Sequence, residues 1–271
     1  MSRTDKAAVA DRIVEKARVL GASLAGIAPV HSLKHSPSHE IYSKIGPNQG
    51  VGSRDFAEGV KPGEIVWPET AESALVIGLA HPEDQPHMDW WQEKEKDRES
   101  PGARILQDIL QEMAAWVEKE FGMGAHLLPY HLEKGGIFFK DAAVLAGFGC
   151  IGRNNLLITP QYGPRVRAWA LLLDEDLPPT GPAAFNPCLE CDGPCRRVCP
   201  RKAFDRVAHA SADLGMESLP GLDGCYDREL CRPETEKNVE DKEFIRLEGE
   251  EKPAWTIKFC RLCEFACPVG K

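Results

Sequence analysis

An α+β fold in two parts is predicted: a larger domain over residues 1–180 and a small cysteine-rich module over residues 181–271. Three observations carry this expectation. Ser73–Ala80 is a continuous apolar run of strand length, the kind buried on both faces, and Val166–Leu173 is a further strand. Between them, Pro101–Phe121 sets Ile105, Ile109, Leu110, Met113, Trp116 and Val117 three and four residues apart, one face of a long helix that Gly122 ends. Nine of the ten cysteines then follow residue 187, seven of them in two closely spaced runs.

The remaining elements follow in chain order. Thr4 caps a helix running to about Leu20, whose apolar side is Val9, Ile13, Val14, Ala17 and Leu20, with Gly21 as its stop. Residues 23–30 are small and apolar and are closed by Pro29, which suggests a first strand. Residues 31–68 lose any period and read as a long loop or a segment of short helices. His31, His35 and His39 stand there at helical spacing, but Pro37 interrupts them and no cysteine or acidic partner accompanies them as a metal face would require. Alternating charge over residues 92–99 predicts the start of a solvated helix, and residues 126–131 another strand. Residues 141–147 form a short helix of small side chains. A glycine-punctuated loop, Phe148-Gly149-Cys150-Ile151-Gly152-Arg153-Asn154-Asn155, leads from it into a strand at 156–160 and a turn at Gly163-Pro164. Its spacing is not the dinucleotide-binding one.

Composition narrows the function classes. With 42% hydrophobic residues over 271, the chain buries a real core. A net charge of -9 argues against broad nucleic-acid binding, because a phosphate backbone is held mainly by Lys and Arg. No window is long and apolar enough to span a bilayer, and residues 1–20 lack a signal core. Ten cysteines are too few to staple a chain of this size and suit a reducing setting, so a cytoplasmic location is expected.

The cysteine runs state a chemistry. Cys188-x2-Cys191-x3-Cys195-x3-Cys199-Pro200 is echoed by Cys260-x2-Cys263-x3-Cys267-Pro268, the bacterial ferredoxin pattern for 4Fe-4S clusters. Such turns bring successive thiolates onto one centre, while the proline leads the chain away. In two-cluster ferredoxins the cysteine before proline serves the other cluster. One centre then takes Cys188, Cys191, Cys195 and Cys267, and the other takes Cys199, Cys260, Cys263 and one more. Either Cys225 or Cys231 supplies it; Cys225 is preferred because it follows a turn predicted at residues 220–224. Structural zinc usually takes paired cysteines across a long spacer, which fits the first run less well.

Lys140-x-Ala142-Ala143-x-x-Ala146-Gly147-Phe148-Gly149-x-x-Gly152-Arg153-Asn154-x-Leu156-Leu157-Ile158, then Gly163, then the two cysteine runs, resembles epoxyqueuosine reductase and, more distantly, the corrinoid reductive dehalogenases. The resemblance implies a nitroreductase-like domain of mixed sheet and flanking helices joined to a two-cluster ferredoxin module. It implies single electrons passing through two clusters to a base-off cobalamin that reduces a substrate. It further implies a low-potential donor of ferredoxin or flavodoxin type, and cofactor contacts from Lys140, Gly149, Cys150, Gly152, Arg153 and Asn154. Counting back without gaps, the family's acidic proton donor falls on Glu133, with His131 and Tyr130 in reserve. The chain also departs from the family: Arg98-Glu99-Ser100-Pro101-Gly102 replaces an Arg-Asp-Tyr-His stretch, the first run gains one residue at 192–194, and an acidic segment fills 234–251. These departures make a tRNA substrate doubtful and favour a small molecule or a partner corrinoid protein. An electron-transfer or activator protein without its own substrate, and a flavin in the cleft, are the alternatives.

Overall fold

The computed structural model describes residues 3–46, 56–93 and 98–271. The chain begins with α1 (Arg3–Val19) and β1 (Leu24–Pro29), followed by two short helices, α2 (Val30–Lys34) and α3 (Pro37–Tyr42), in the predicted irregular stretch. Next come β2 (Ser73–Ala80), β3 (Trp90–Glu93), β4 (Arg98–Glu99), α4 (Pro101–Phe121), β5 (Ala125–Leu127), α5 (Phe139–Leu145), β6 (Cys150–Ile151), β7 (Leu157–Ile158) and β8 (Val166–Leu173). The last third holds α6 (Pro194–Arg197), α7 (Ser211–Leu214), α8 (Arg228–Glu240), β9 (Glu243–Ile245), β10 (Ala254–Lys258) and α9 (Leu262–Phe265).

The principal sheet has the order β1-β2-β8-β5, and each neighbouring pair is antiparallel. This corrects the expected mixed sheet. Strands β2 and β5, joined through α4, do run in the same direction, but β8 returns between them and is antiparallel to both. The register sets Ile27 against Leu75 and Leu75 against Leu171. Successive strand side chains point to opposite faces, yet β2 is buried from Ser73 through Leu79, so both faces of the sheet must be covered. Helices α1 and α4, packed on one another, and α5, packed on β1, β2 and β8, supply the cover. Each large aliphatic side chain fully buried there, such as Ile77 or Leu171, contributes roughly 1.5–3 kcal/mol.

Helix α4 has the predicted bounds for the predicted reasons. The Ser100 hydroxyl accepts from the Ala103 amide at its start, Pro101 occupies the first turn where no amide is needed, and Gly122 closes it in the left-handed conformation. The buried stripe is Leu106, Ile109, Leu110, Met113 and Val117, with Ile105 39% exposed. The expected use of Ile105 is therefore corrected: Leu106 lies in line with Ile109, Leu110 and Met113, and Ile105 is turned past the edge of that face. Thr4 is inside α1 rather than its cap, since the helix already includes Arg3.

The expected helix over residues 92–99 is also corrected. Trp90–Glu93 and Arg98–Glu99 are strands of a second antiparallel sheet, ordered β4-β3-β10-β9, in which Trp91 pairs with Ile257; residues 94–97 lie outside those described. Local charge alternation yields there to cross-strand pairing with a segment more than 150 residues away. Because β3 precedes residue 180 and β10 follows it, this sheet joins the two predicted parts. All ten cysteines are free thiols, and among the described residues no helix is long and apolar enough to cross a membrane.

The three early histidines do not converge. His31 contacts the Ser32 hydroxyl at 3.1 Å, His35 is exposed, and His39 is buried between Ser36, 2.8 Å from its Nδ1, and the Phe138 amide, which donates to Nε2 at 3.2 Å. An Nε2 that accepts leaves the proton on Nδ1, so this is a neutral histidine. Burial pushes its pKa down to about 4, with Asp141 opposing. Unfolding restores a value near 6.5, so stability linked to His39 is complete above that value and falls as pH drops toward 4. The loss is expected to be about 1 kcal/mol between pH 7 and pH 5.5, growing to about 3 kcal/mol at pH 4. Denaturant unfolding under anaerobic conditions should show this slope, reduced by about that amount in His39→Gln; an unchanged slope would remove His39 as its source.

Candidate redox centre and cleft

The thiols fall into two groups by their mutual interactions. Cys195 interacts electrostatically with Cys267, Cys188 and Cys191, and Cys267 with Cys188 and Cys191. In the other group Cys260 interacts with Cys231 and Cys199, and Cys263 with Cys260 and Cys231 and, more weakly, across to Cys195 of the first group. The expected eighth ligand, Cys225, belongs to neither arrangement. Its amide donates to the Asp223 carboxylate at 3.2 Å, and the groups acting on its thiol are Asp223 and Arg196. The reason is the Asp227 cap: its carboxylate accepts from the Leu230 amide and starts α8, which carries Cys231 back toward Cys199 one turn later. Tyr226 hydrogen-bonds the Cys231 thiol. Nothing in the local spacing of residues 225–231 announces this choice.

Burial pushes the Cys195 thiol up to about 11 and that of Cys263 up to about 12, in each case reinforced by the neighbouring cysteines. Thiols held this high become thiolates only when a metal takes the place of the proton. Among the described residues no three His, Cys, Asp or Glu side chains gather tightly enough for a single metal ion.

The glycine-punctuated loop after α5 serves the thiol groups. The Arg153 guanidinium donates to the Cys191 carbonyl at 3.1 Å, and the Asn154 amide donates to the Cys263 carbonyl at 3.3 Å, so adjacent residues hold one loop of each group. Gly152 lies so close to the first group that a Cβ there would stand 3.1 Å from the Cys188 sulfur and 2.6 Å from Ile158 Cγ1. Gly149, at φ 152°, would drive a Cβ to 1.9 Å from the Ile158 carbonyl oxygen across the β6–β7 hairpin. Cys150 stands near Cys188 and Cys267, and burial foremost, then those two cysteines, pushes its thiol up to about 12. Of the expected cofactor residues, Cys150, Gly152, Arg153 and Asn154 thus lie against the cysteine loops, Gly149 packs on the β6–β7 hairpin, and none of the five is in the wall of the cleft described next. The backbone approach signalled by their glycines is an approach to a neighbouring loop.

Lys140 differs from them. It opens onto a cleft of about 470 Å³ walled by three parts of the chain: Val166, Arg167 and Ala168 of β8, the 130–133 turn, and Cys260, Arg261, Cys263 and Glu264. Its ammonium donates to the Asn155 carbonyl, and burial pulls its pKa down to about 8, Asp141 opposing. Glu133 is 6% exposed at the same cleft, with its carboxylate 4.0 Å from His131 Nδ1. A short 3₁₀ turn, Leu132–Lys134, closed by Gly135, positions it, and the Ala57 amide anchors its carbonyl. Tyr130 and His131 line the cleft beside Trp91, with ring centroids 5.9 Å apart in both pairings, and Trp169 buttresses Tyr130 at 5.1 Å.

A buried ion network lies between the cleft and the second thiol group. Arg167 donates to Asp89 and to Glu264, each at 2.8 Å; Arg261 pairs with Asp89 at 3.0 Å and with Glu264, and donates to the His81 carbonyl at 2.9 Å. Burial alone would raise the Asp89 carboxyl, but Arg167, His81 and Arg261 together hold it below the ordinary carboxylate range. His81 sits 2.8 Å from Asp89, and burial lowers its pKa despite that carboxylate. Since Arg261 and Glu264 flank Cys263, the network ties this cysteine loop to the principal sheet. Networks of this kind add little net stability, but removing one partner leaves a buried charge and typically costs about 3–5 kcal/mol.

No family model matches the chain. It is similar to an epoxyqueuosine reductase from Lactococcus garvieae (strain Lg2), 25% identical over 234 residues, or 84% of this chain and 60% of that protein. The fold is that of an epoxyqueuosine reductase solved with an epoxyqueuosine-modified tRNA stem loop, with a TM-score of 0.59 at 16% identity over 97% of this chain and 65% of the other. It is equally that of a catabolic reductive dehalogenase solved with 3-bromo-4-hydroxybenzoic acid, with a TM-score of 0.60 at 18% identity over 100% of this chain and 33% of the other. The chain therefore spans less than two thirds of the length of these relatives.

Proposed function

We propose that this chain is an iron–sulfur oxidoreductase: two 4Fe-4S clusters carry single electrons to a corrinoid in the cleft, and a small molecule is reduced there. The observation that carries this reading is the make-up of the cleft wall. Cys260 and Cys263, Glu133 and strand β8 border one space, so a group placed in it would meet an electron source on one side and a buried carboxyl on another. The donor set fits the clusters, with Cys188, Cys191, Cys195 and Cys267 in one and Cys199, Cys231, Cys260 and Cys263 in the other. The walls fit the flat face of a macrocycle, since Trp91, Tyr130, Ile137, Phe138 and Phe139 line the cleft together with Glu133. A bound corrinoid would supply a low-valent metal able to break a carbon–heteroatom bond one electron at a time.

The remaining work falls to the chain. Glu133 holds the proton for the leaving atom and, with His131, faces the open volume. Aromatic rings at 91, 130 and 139 exclude water from that side. Arg167 points into the same space with its charge already balanced by Asp89 and Glu264, which makes it a fixed dipole rather than a receptor for a substrate anion. Arg153 and Asn154 hold the two cysteine loops in register, so the distance between clusters is set by the fold. A low-potential ferredoxin or flavodoxin is the fitting electron donor. We place a small molecule ahead of tRNA because the net charge is -9 and phosphate contacts need cationic side chains.

Anaerobic purification with and without added cobalamin tests this. About eight iron, four per cluster, and one cobalt per chain are expected. Eight iron without cobalt would favour the second reading, an electron-transfer or activator protein serving a partner's corrinoid or flavin. Bound flavin would replace the corrinoid in the cleft. Zinc in place of iron would remove the cluster reading.

A further inference from the structure

We infer that segment 196–207 is the docking surface for the electron donor, an acidic one-electron carrier protein of ferredoxin type. The segment holds five cationic side chains and one carboxylate, in a chain whose net charge is -9. Arg197, Arg201, Lys202 and Arg206 are exposed, and Val198 and Val207 stand among them 38% and 59% exposed. Leu189, between Cys188 and Cys191, is 67% exposed. Arg197 reaches that loop by donating to the Asp192 carboxylate at 2.8 Å and to the Asp192 carbonyl.

Placement fixes what a partner does there. Cys195, of the first thiol group, immediately precedes the segment, and Cys199, of the second, lies within it. The Ala203 amide donates to the Cys199 sulfur at 3.5 Å, so the segment's own backbone touches a thiol. None of its residues is in the wall of the cleft, which leaves the cleft open to substrate while a carrier is bound. In each encounter the carrier loses one electron and a cluster gains it, with no bond made or broken. The inference rests on the reading of these cysteines as cluster ligands.

Charge complementarity selects the partner. An acidic body repels an acidic partner except where cations gather, and such a field orients and speeds the encounter. The existing ion pairs do not block it. The Arg197 and Asp192 side chains are 61% and 76% exposed, and Arg206, 65% exposed, gives Nε and Nη2 to Asp227. Pairs as open as the first contribute little, so a partner's carboxylates exchange for them at small cost. Val198 and Val207 add apolar contact to what is a small surface, as weak electron-transfer interfaces are. The segment's one aromatic ring, Phe204, is buried and offers no platform on which a nucleic-acid base could stack.

Oxidised plant-type 2Fe-2S ferredoxin is the probe, titrated calorimetrically into the intact iron-loaded protein under anaerobic conditions. Binding is expected to weaken as salt is raised. In the double variant Arg197→Glu/Lys202→Glu, affinity at low ionic strength is expected to fall by about tenfold or more. Reduction of the clusters by reduced ferredoxin should slow with it, while dithionite reduces them as in the parent. Lys119→Glu/Lys252→Glu makes the same charge change at exposed lysines outside the segment and should leave the affinity nearly unchanged. No binding, binding insensitive to salt, or equal losses in the two double variants would each overturn the docking surface. So would a tRNA stem loop that loses affinity in Arg197→Glu/Lys202→Glu while ferredoxin does not. Failure of the cluster reading shows separately, in the iron content and in reduction by dithionite.

Discussion

Cys231→Ser protein, reconstituted anaerobically with iron and sulfide, is expected to hold about four iron per chain, against about eight for the parent and for Cys225→Ser. The expectation rests on placement. Cys231 faces Cys199, Cys260 and Cys263, whereas Cys225 is turned toward Asp223 and Arg196. A cluster that loses a thiolate ligand is also expected to lose its low-temperature paramagnetic signal on reduction, leaving the other cluster's signal in place. Iron loss in Cys225→Ser with full retention in Cys231→Ser would reverse the assignment. The serine variants change one atom each at two partly buried thiols, and the retained signal of the other cluster shows that the fold is intact.

Glu133→Gln is expected to lower turnover by about 10²–10⁴-fold, the range a positioned general acid contributes, while both clusters remain. Glutamine keeps the shape and the polar contacts at the cleft but has no proton to give. His131, an ionisable neighbour, stands 4.0 Å from Glu133, and its variant should have a smaller effect if Glu133 is the group in contact with the reacting atom. Unchanged turnover in Glu133→Gln with intact clusters would remove Glu133 from the chemistry and leave Tyr130 and His131 as the candidates at the same wall.

Much of the site was legible residue by residue, for local reasons. Cysteines at two- and three-residue spacing before a proline have few uses other than wrapping a compact metal centre. The glycines at 149 and 152 were legible as places of close backbone approach, but their partner was not: a glycine reports that something is near without saying what, and here it is the β6–β7 hairpin and the Cys188 sulfur. Residues 92–99 show the opposite failure. Their charges suit a solvated helix, and their strand conformation comes from pairing with β10, a contact that no local window contains.

By itself the sequence determined the elements whose information is local: α4 with its serine cap and terminal glycine, the apolar strands β2 and β8, and the two cysteine runs. Hydrophobic periodicity, capping and turn chemistry act within a few residues, so they survive reading in one dimension. Only the tertiary structure decided that β8 enters between β2 and β5, that Cys231 rather than Cys225 faces Cys199, and that Arg167 meets Asp89, Arg261 and Glu264. Each of these joins residues far apart in the chain, and the free energy that selects them comes from burial and electrostatic pairing in the assembled core, where sequence separation has no bearing on distance.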